Sequence, residues 1–127
     1  MDINELSNTV IGAAIEVHKA LGPGLLESIY EECLSLELGL RGLSFERQKP
    51  LIVTYKGKTL QCSYRLDLVV EKQIIIELKS CESIEPIHKA QLLTYLKLSD
   101  LRLGLLLNFN VPLMRDGIIR IVNALPE

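Results

Sequence analysis

Tyr64-Arg65-Leu66-Asp67-Leu68-Val69-Val70 is followed, after Glu71-Lys72-Gln73, by Ile74-Ile75-Ile76-Glu77-Leu78-Lys79-Ser80. Both stretches are apolar and rich in β-branched residues, and Glu71-Lys72 between them is polar, so they read as two strands joined by a tight turn. Side chains of a strand alternate, which puts Glu77 and Lys79 on one side and Ile76 and Leu78 on the other. A hairpin returns Asp67 toward Glu77. Two carboxylates and one ammonium then converge at one end of a strongly apolar pair. Mg²⁺ prefers hard oxygen donors in an octahedron, and usually takes one or two carboxylates plus waters and phosphate oxygens. A Lys beside such an ion can steady developing charge or assist the ionisation of a water. The structural alternative is that Asp67 and Glu77 are solvent-face residues paired with Arg65 and Lys79. A lone Glu-x-Lys tripeptide would favour that alternative; spacing, strand context and flanking motifs move the balance.

Outward from this pair, the period of apolar residues assigns the other elements. Leu6, Val10, Ala13, Ala14, Val17 and Leu21 recur at three and four, a helical stripe stopped by Gly22-Pro23-Gly24. Leu25, Ile29, Cys33, Leu36 and Leu40 mark a second helix, ended near Gly39 to Gly42, with Cys33 expected in the core. Leu51, Val53 and Tyr55 alternate up to a turn at Lys56-Gly57-Lys58, and Leu60 to Val70 continues extended. Pro86 opens a third helix with Leu92, Leu93 and Leu96 on its buried side. Leu103 to Phe109 is a nearly unbroken apolar run, as in a strand covered on both faces, and Ile118 to Val122 adds an edge strand. The order α-α-β-β-β-α-β, with that edge strand last, predicts an α/β chain with a central mixed sheet flanked by helices. No repeat, low-complexity stretch or linker divides residues 1–127, so a single domain is expected.

Composition narrows the function classes. With 48% hydrophobic and 24% charged residues, the chain is an ordinary globular protein. No apolar run approaches the roughly 20 residues of a membrane span, and Met1-Asp2-Ile3-Asn4-Glu5 lacks a secretory pattern. A cytoplasmic protein without membrane attachment is expected. Cys33, Cys62 and Cys81 are odd in number and widely spaced, which speaks against a disulfide framework and a zinc site. The net charge of −2 argues on its face against a nucleic-acid binder. Its distribution is more informative: residues 1–40 hold one Lys against seven acids, while residues 41–102 hold eleven Lys and Arg against seven acids. A basic middle can meet phosphates.

Several ordered motifs make the chain recognisable. Gly24-Leu25-Leu26-Glu27-Ser28-Ile29-Tyr30 resembles the G-x-x-E-x-x-Y signature of the GxxExxY family, a small branch of the PD-(D/E)XK nuclease superfamily. The resemblance extends through Val17-His18, Gly22-Pro23-Gly24, Arg65 to Val70, Glu77-Leu78-Lys79, His88 to Tyr95 and Leu105 to Phe109. It implies a restriction-endonuclease-like core with Asp67, Glu77 and Lys79 as the catalytic motif and Glu27 as a further acid from the helix. The metal ligands implied are Asp67, Glu77 and Glu27, holding Mg²⁺ or Mn²⁺. Leu66 stands where the motif's name has Pro, a departure shared by many members. Gln91-Leu92-Leu93-Thr94-Tyr95 looks like the Q-x-x-x-Y element of the superfamily's exonuclease branch; residues i and i+4 share a helix face, so an amide and a phenol can serve one site. Gln91 is thus a catalytic candidate, and Tyr95 and Tyr30 are candidates for contacting substrate. Against these readings, Glu27 also suits a helix's first turn through the macrodipole, Tyr95 suits an amphipathic flank, and His18 suits a hydrogen-bonded core position.

The expected function is metal-dependent hydrolysis of phosphodiester bonds in DNA or RNA by an activated water. A rival reading is a non-catalytic nucleic-acid-binding or accessory module that keeps the fold. A third is an enzyme acting on a small phosphorylated molecule. Presence of Asp67, Glu77 and Lys79 together favours catalysis. The chain looks close to a bare core with little material to grip a duplex, which leaves room for a homodimer or a protein partner.

Overall fold

The alternation read across residues 64–80 is realised as an antiparallel hairpin. The computed structural model describes residues 1–124. It comprises α1 (Ile3–Leu21), α2 (Glu27–Leu40), β1 (Phe45–Tyr55), β2 (Lys58–Val70), β3 (Ile74–Lys79), α3 (Pro86–Ser99), β4 (Leu103–Asn108) and β5 (Ile118–Val122), with a 3-10 turn at Met114–Gly117. The strands form one sheet in the order β1-β2-β3-β4-β5. Only β3 and β4 run parallel, and α3 is the crossover that a parallel pair requires. The other neighbours are antiparallel, so the sheet is mixed and the fold is α/β of the restriction-endonuclease-like kind. No helix among the described residues is long and apolar enough to cross a membrane.

Each face of the sheet buries a separate cluster. On one, Leu6, Val10, Ala13 and Val17 of α1 and Tyr30, Leu34 and Leu38 of α2 meet Leu68, Val70, Ile74, Ile76 and Leu78. On the other, Leu92 and Leu96 of α3 meet Leu66, Val69, Ile75 and Leu106. Double coverage is why β3 and β4 are apolar at successive positions rather than alternate ones. Helix α1 begins with the Asp2 carboxylate accepting the Glu5 N–H at 2.9 Å and ends at Gly22, whose φ of 73° suits glycine. Helix α3 lies close on β4 because residue 104 is Gly: a Cβ there would stand 2.8 Å from Leu92 Cγ.

Helix α2 departs from expectation. Ile29, Leu36 and Leu40, which mark the helix in the sequence, are 40%, 67% and 73% exposed, and Cys33, expected in the core, is half-buried. The buried stripe lies one position along, at Tyr30, Leu34 and Leu38. The helix carries two apolar stripes, and Tyr30 selects between them. Its ring stacks on Phe109 with centroids 4.4 Å apart, and its hydroxyl donates to Gly22 O at 2.6 Å and accepts from Leu25 N at 3.1 Å.

Strands β1 and β2 outgrow the sheet. They pair from Phe45 and Val70 to Tyr55 and Lys58, whereas β2 meets β3 only at Leu68–Val70. The remainder is a two-stranded arm, turned at Lys56 and Gly57 with φ of 49° and 76°. Its base rests over the C-terminal end of α3, where Pro50, Ile52 and Leu66 face Leu98 and Leu101. Within the arm Pro50 is opposite Arg65 and Ile52 opposite Gln61, so two steps of β1 span four of β2.

Candidate active site

The β2–β3 ladder ends at the pair Leu68 and Ile76, and beyond it the strands separate around Asp67 and Glu77. Each acid bridges the gap. The Leu78 N–H donates to Asp67 Oδ2 at 2.8 Å, and the Asp67 N–H donates to Glu77 Oε2 at 3.0 Å. Side-chain carboxylates thus replace the missing ladder bonds, and each is held by backbone of the strand that carries the other. The second oxygen of Glu77, Oε1, accepts from the Tyr64 hydroxyl. Tyr64 in turn stacks on Tyr95 of α3, with ring centroids 4.7 Å apart.

The two acids face different surroundings. Asp67 lines a cleft beneath α2 together with Glu27, Ser28, Glu31, Glu32, Arg47 and Gln48. Glu31 is buried and accepts from Arg47 at 2.9 Å and from the Gln48 amide at 2.6 Å. Arg47 also reaches Glu32 at 2.8 Å. Gln48 has φ of 50°, unusual for a residue with a side chain, which bends β1 at the point nearest Asp67. Glu77, only 2% exposed, is enclosed by its own strand, Asp67 and Tyr64.

Burial sets the electrostatics. It is the main cause raising the Asp67 carboxyl above its ordinary range, with the charges of Glu31 and Glu27 adding, against the opposing Leu78 N–H. Burial likewise raises Glu77, to about 7, and the charge of Asp67 is the next cause. The Tyr64 hydroxyl, the Asp67 N–H and Lys79 pull the other way. The Tyr64 phenol itself is raised, first by burial and then by its bond to Glu77.

Lys79 ends β3 half-buried, opposite Asn108 of β4, and makes no ion pair among the described residues. Neither of the ion pairs that would make these acids ordinary surface groups forms: Arg65 donates instead to Gln48 O at 3.1 Å. Glu27 stands exposed at the start of α2, on the rim of the Asp67 cleft. Tyr95 reaches the Glu77 side through Tyr64, while Gln91 is exposed on α3 and hydrogen-bonds to neither acid. Tyr30 corrects an expectation. It is fully buried, and its hydroxyl is engaged in tying α1 to α2, so its side chain is not available to a substrate. His18 is the core imidazole expected, its Nε2 2.8 Å from Val111 O. Tyr64, Glu31, Arg47 and Gln48 are the neighbours that the sequence did not announce; only Glu31, four residues after Glu27 on one helix face, left a local signal.

A sequence profile of the PD-(D/E)XK nuclease superfamily matches residues 4–121. The chain belongs to that superfamily. Membership implies a nuclease-type function, and PD-(D/E)XK nucleases generally use divalent metal ions. A solved structure titled "Crystal structure of SSO0001" aligns with 96% of this chain and 80% of its own, at 19% identity and a TM-score of 0.44. Among curated proteins no significant match was found.

The residues of this PD-(D/E)XK chain suit a divalent ion. Its donors are hard carboxylate oxygens, and two acids raised by burial, Glu77 also by the charge of Asp67 and Asp67 by those of Glu31 and Glu27, form a site that a cation would relieve. No group of three or more His, Cys, Asp or Glu side chains gathers among the described residues, so Asp67 and Glu77 would leave most coordination positions to water or substrate.

Proposed function

We propose that this chain is a metal-dependent nuclease of the GxxExxY branch, hydrolysing phosphodiester bonds of DNA or RNA with Asp67, Glu77 and Lys79 at its centre. The observation that carries this reading is the reciprocal bridge: two acids from adjacent strands, each bound to the other's strand and both raised toward protonation by burial. A purely structural pair has no reason to bring two such groups together without a counter-charge.

Asp67 and Glu77 would hold Mg²⁺ or Mn²⁺, with Glu27 contributing from the rim of the cleft. Such an ion, when bound, polarises a phosphoryl oxygen and lowers the pKa of a water. The backbone N–H groups of Leu78 and Asp67 fix the two carboxylates before substrate arrives, which removes the cost of ordering them at the moment of reaction. Lys79, whose charge acts on Glu77, would position the attacking water or stabilise charge on the phosphoryl oxygens. Tyr95 braces Tyr64 against Glu77, and Gln91, one turn earlier on the same face of α3, would approach the phosphate backbone.

A binding-only reading has one observation in its favour: both oxygens of Glu77 already accept hydrogen bonds within the protein. A cleavage assay on single- and double-stranded DNA and RNA, with Mg²⁺, Mn²⁺ or chelator, separates the two. Wild type should cleave at least one substrate and stop in chelator. Lys79→Ala should keep the fold and lose activity by roughly 10²–10³-fold. Cleavage by Lys79→Ala at the wild-type rate would remove Lys79 from the mechanism, and binding without cleavage of any substrate would leave the accessory module.

A further inference from the structure

Apart from Tyr64, the β1–β2 arm between Lys49 and Leu66 takes no part in the site just described, although β2 carries Asp67 at its root. Between Lys49 and Leu66 the arm holds Lys49, Lys56, Lys58 and Arg65 and no acid, in a chain whose net charge is −2. Lys49 is paired with Glu46 at 3.3 Å, but Lys56, Lys58 and Arg65 have no carboxylate partner among the described residues. Lys56 lies over the ring of Tyr55 at 5.4 Å, and that ring is 61% exposed at the tip. Positive charge is therefore gathered on the part of the molecule that stands clear of the sheet. Everything else in the chain is net negative.

We infer that this arm holds a nucleic-acid duplex against the acids. The inference rests on the nuclease reading and adds the substrate form and the element that grips it. A two-stranded ribbon, with strands about 4.8 Å apart, is of a size that the major groove, about 12 Å wide, admits. Nine residue steps lead from Lys58 to Asp67 on β2. At about 3.3 Å each they span roughly 30 Å, close to one duplex turn of about 34 Å. Contacts at the tip and chemistry at the root then fall about one turn apart on the same duplex. A second copy of the chain is the poorer occupant, because two arms of like charge repel. Lysines on an edge also discourage strand-to-strand aggregation. That bland role needs charge of either sign, whereas phosphate binding needs positive charge, and charge reversal tells them apart.

The test is fluorescence anisotropy on the full chain in chelator, with a labelled 20-base-pair duplex, its single strand, and the matching RNA duplex. Lys56→Glu with Lys58→Glu should weaken duplex binding tenfold or more. The slope of log affinity against log salt should shrink by about 1.8, two phosphate contacts at about 0.9 each. Lys19→Glu with Arg115→Glu makes the same change in net charge on and beside α1, and should leave binding within a factor of about two or three. Lys56→Ala with Lys58→Ala provides the same reading if the reversed pair melts early by circular dichroism. An equal loss in the arm and control variants, or wild-type affinity for single strands matching that for duplexes, would overturn the arm while leaving the nuclease reading in place. No binding to any of the three nucleic acids would overturn both.

Discussion

Asp67 and Glu77 face each other across one gap, yet the regions around them are built in opposite ways. The α2 side, around Asp67, is an open cleft populated by charge: Glu27, Glu31, Glu32 and Arg47 surround it, and Gln48 sits at its edge. The α3 side, around Glu77, is closed, with a tyrosine hydroxyl and a backbone N–H occupying both oxygens. In the cleft, carboxylates are spread over solvent and an arginine. In the closed region, one carboxylate has no counter-charge in contact, and its proton affinity rises instead. The pair teaches that a site for a cation can be half solvated and half starved, and that the starved half is where titration should be felt.

The strongest way to break this comparison is to titrate the metal-free protein. Unfolded, a Glu carboxyl loses its proton near 4.5, whereas folded Glu77 keeps it to about 7. Glu77 binds more protons in the folded state between these values, so its contribution to stability is full below about 4.5 and is lost as pH rises through about 7. The loss should be on the order of 3 kcal/mol. Urea denaturation in chelator across this range should show the decline, Glu77→Gln should flatten most of it, and Mg²⁺ should restore stability at the alkaline end. A flat profile in wild type would mean that Glu77 is already compensated.

A smaller effect should come from the cover over Glu77. Tyr64→Phe leaves a buried carboxylate oxygen without its donor, at a cost of about 1–2 kcal/mol near neutral pH. Because the hydroxyl favours the ionised form, its loss should also move the midpoint of the same titration upward. Smallest of all should be the cleft's outer rim. Glu32→Gln breaks an exposed contact to Arg47 and should leave stability nearly unchanged. Glu31→Gln, in a buried position with two donors, should cost about 1 kcal/mol, and reversal of that order would place the structural weight of the cleft on its rim.

How much of this was legible in the chain depended on whether local period was enough. The sheet was legible because β3 opens with three successive apolar residues, β4 is apolar from Leu103 to Leu107, and the Glu71–Lys72 turn is polar, the pattern of strands covered on both faces. The pairing of Asp67 with Glu77 across the hairpin followed from the same register. The buried face of helix α2 was not legible because its two apolar stripes are one residue apart, and the choice between them is made by Phe109, which is far away in sequence. Tyr64 was hidden for a different reason. It stands three residues before Asp67, where simple alternation sends it to the other side, but the irregular stretch opposite Pro50 and Ile52 lets it reach Glu77. Gln48 owes its place to a left-handed backbone within a strand, which no pattern of side chains announces.

The hydrogen atom that stands in for a side chain at Gly104 works as a height adjustment for the α3 side of the sheet. Leu92 drops into that vacancy and sets how deep α3 sits. Tyr95 is three residues further along the same helix, on the neighbouring ridge, and it holds Tyr64 from above. A helix is stiff along its axis, so a single methyl added at Gly104 would jack up Leu92 and carry Tyr95 with it. The tyrosine stack would open by a few tenths of an ångström, on the order of the slack that a well-packed interior allows. The fit between two aromatic rings, and through them the orientation of a carboxylate, is thus calibrated by one missing carbon in a strand that contributes no residue to the site.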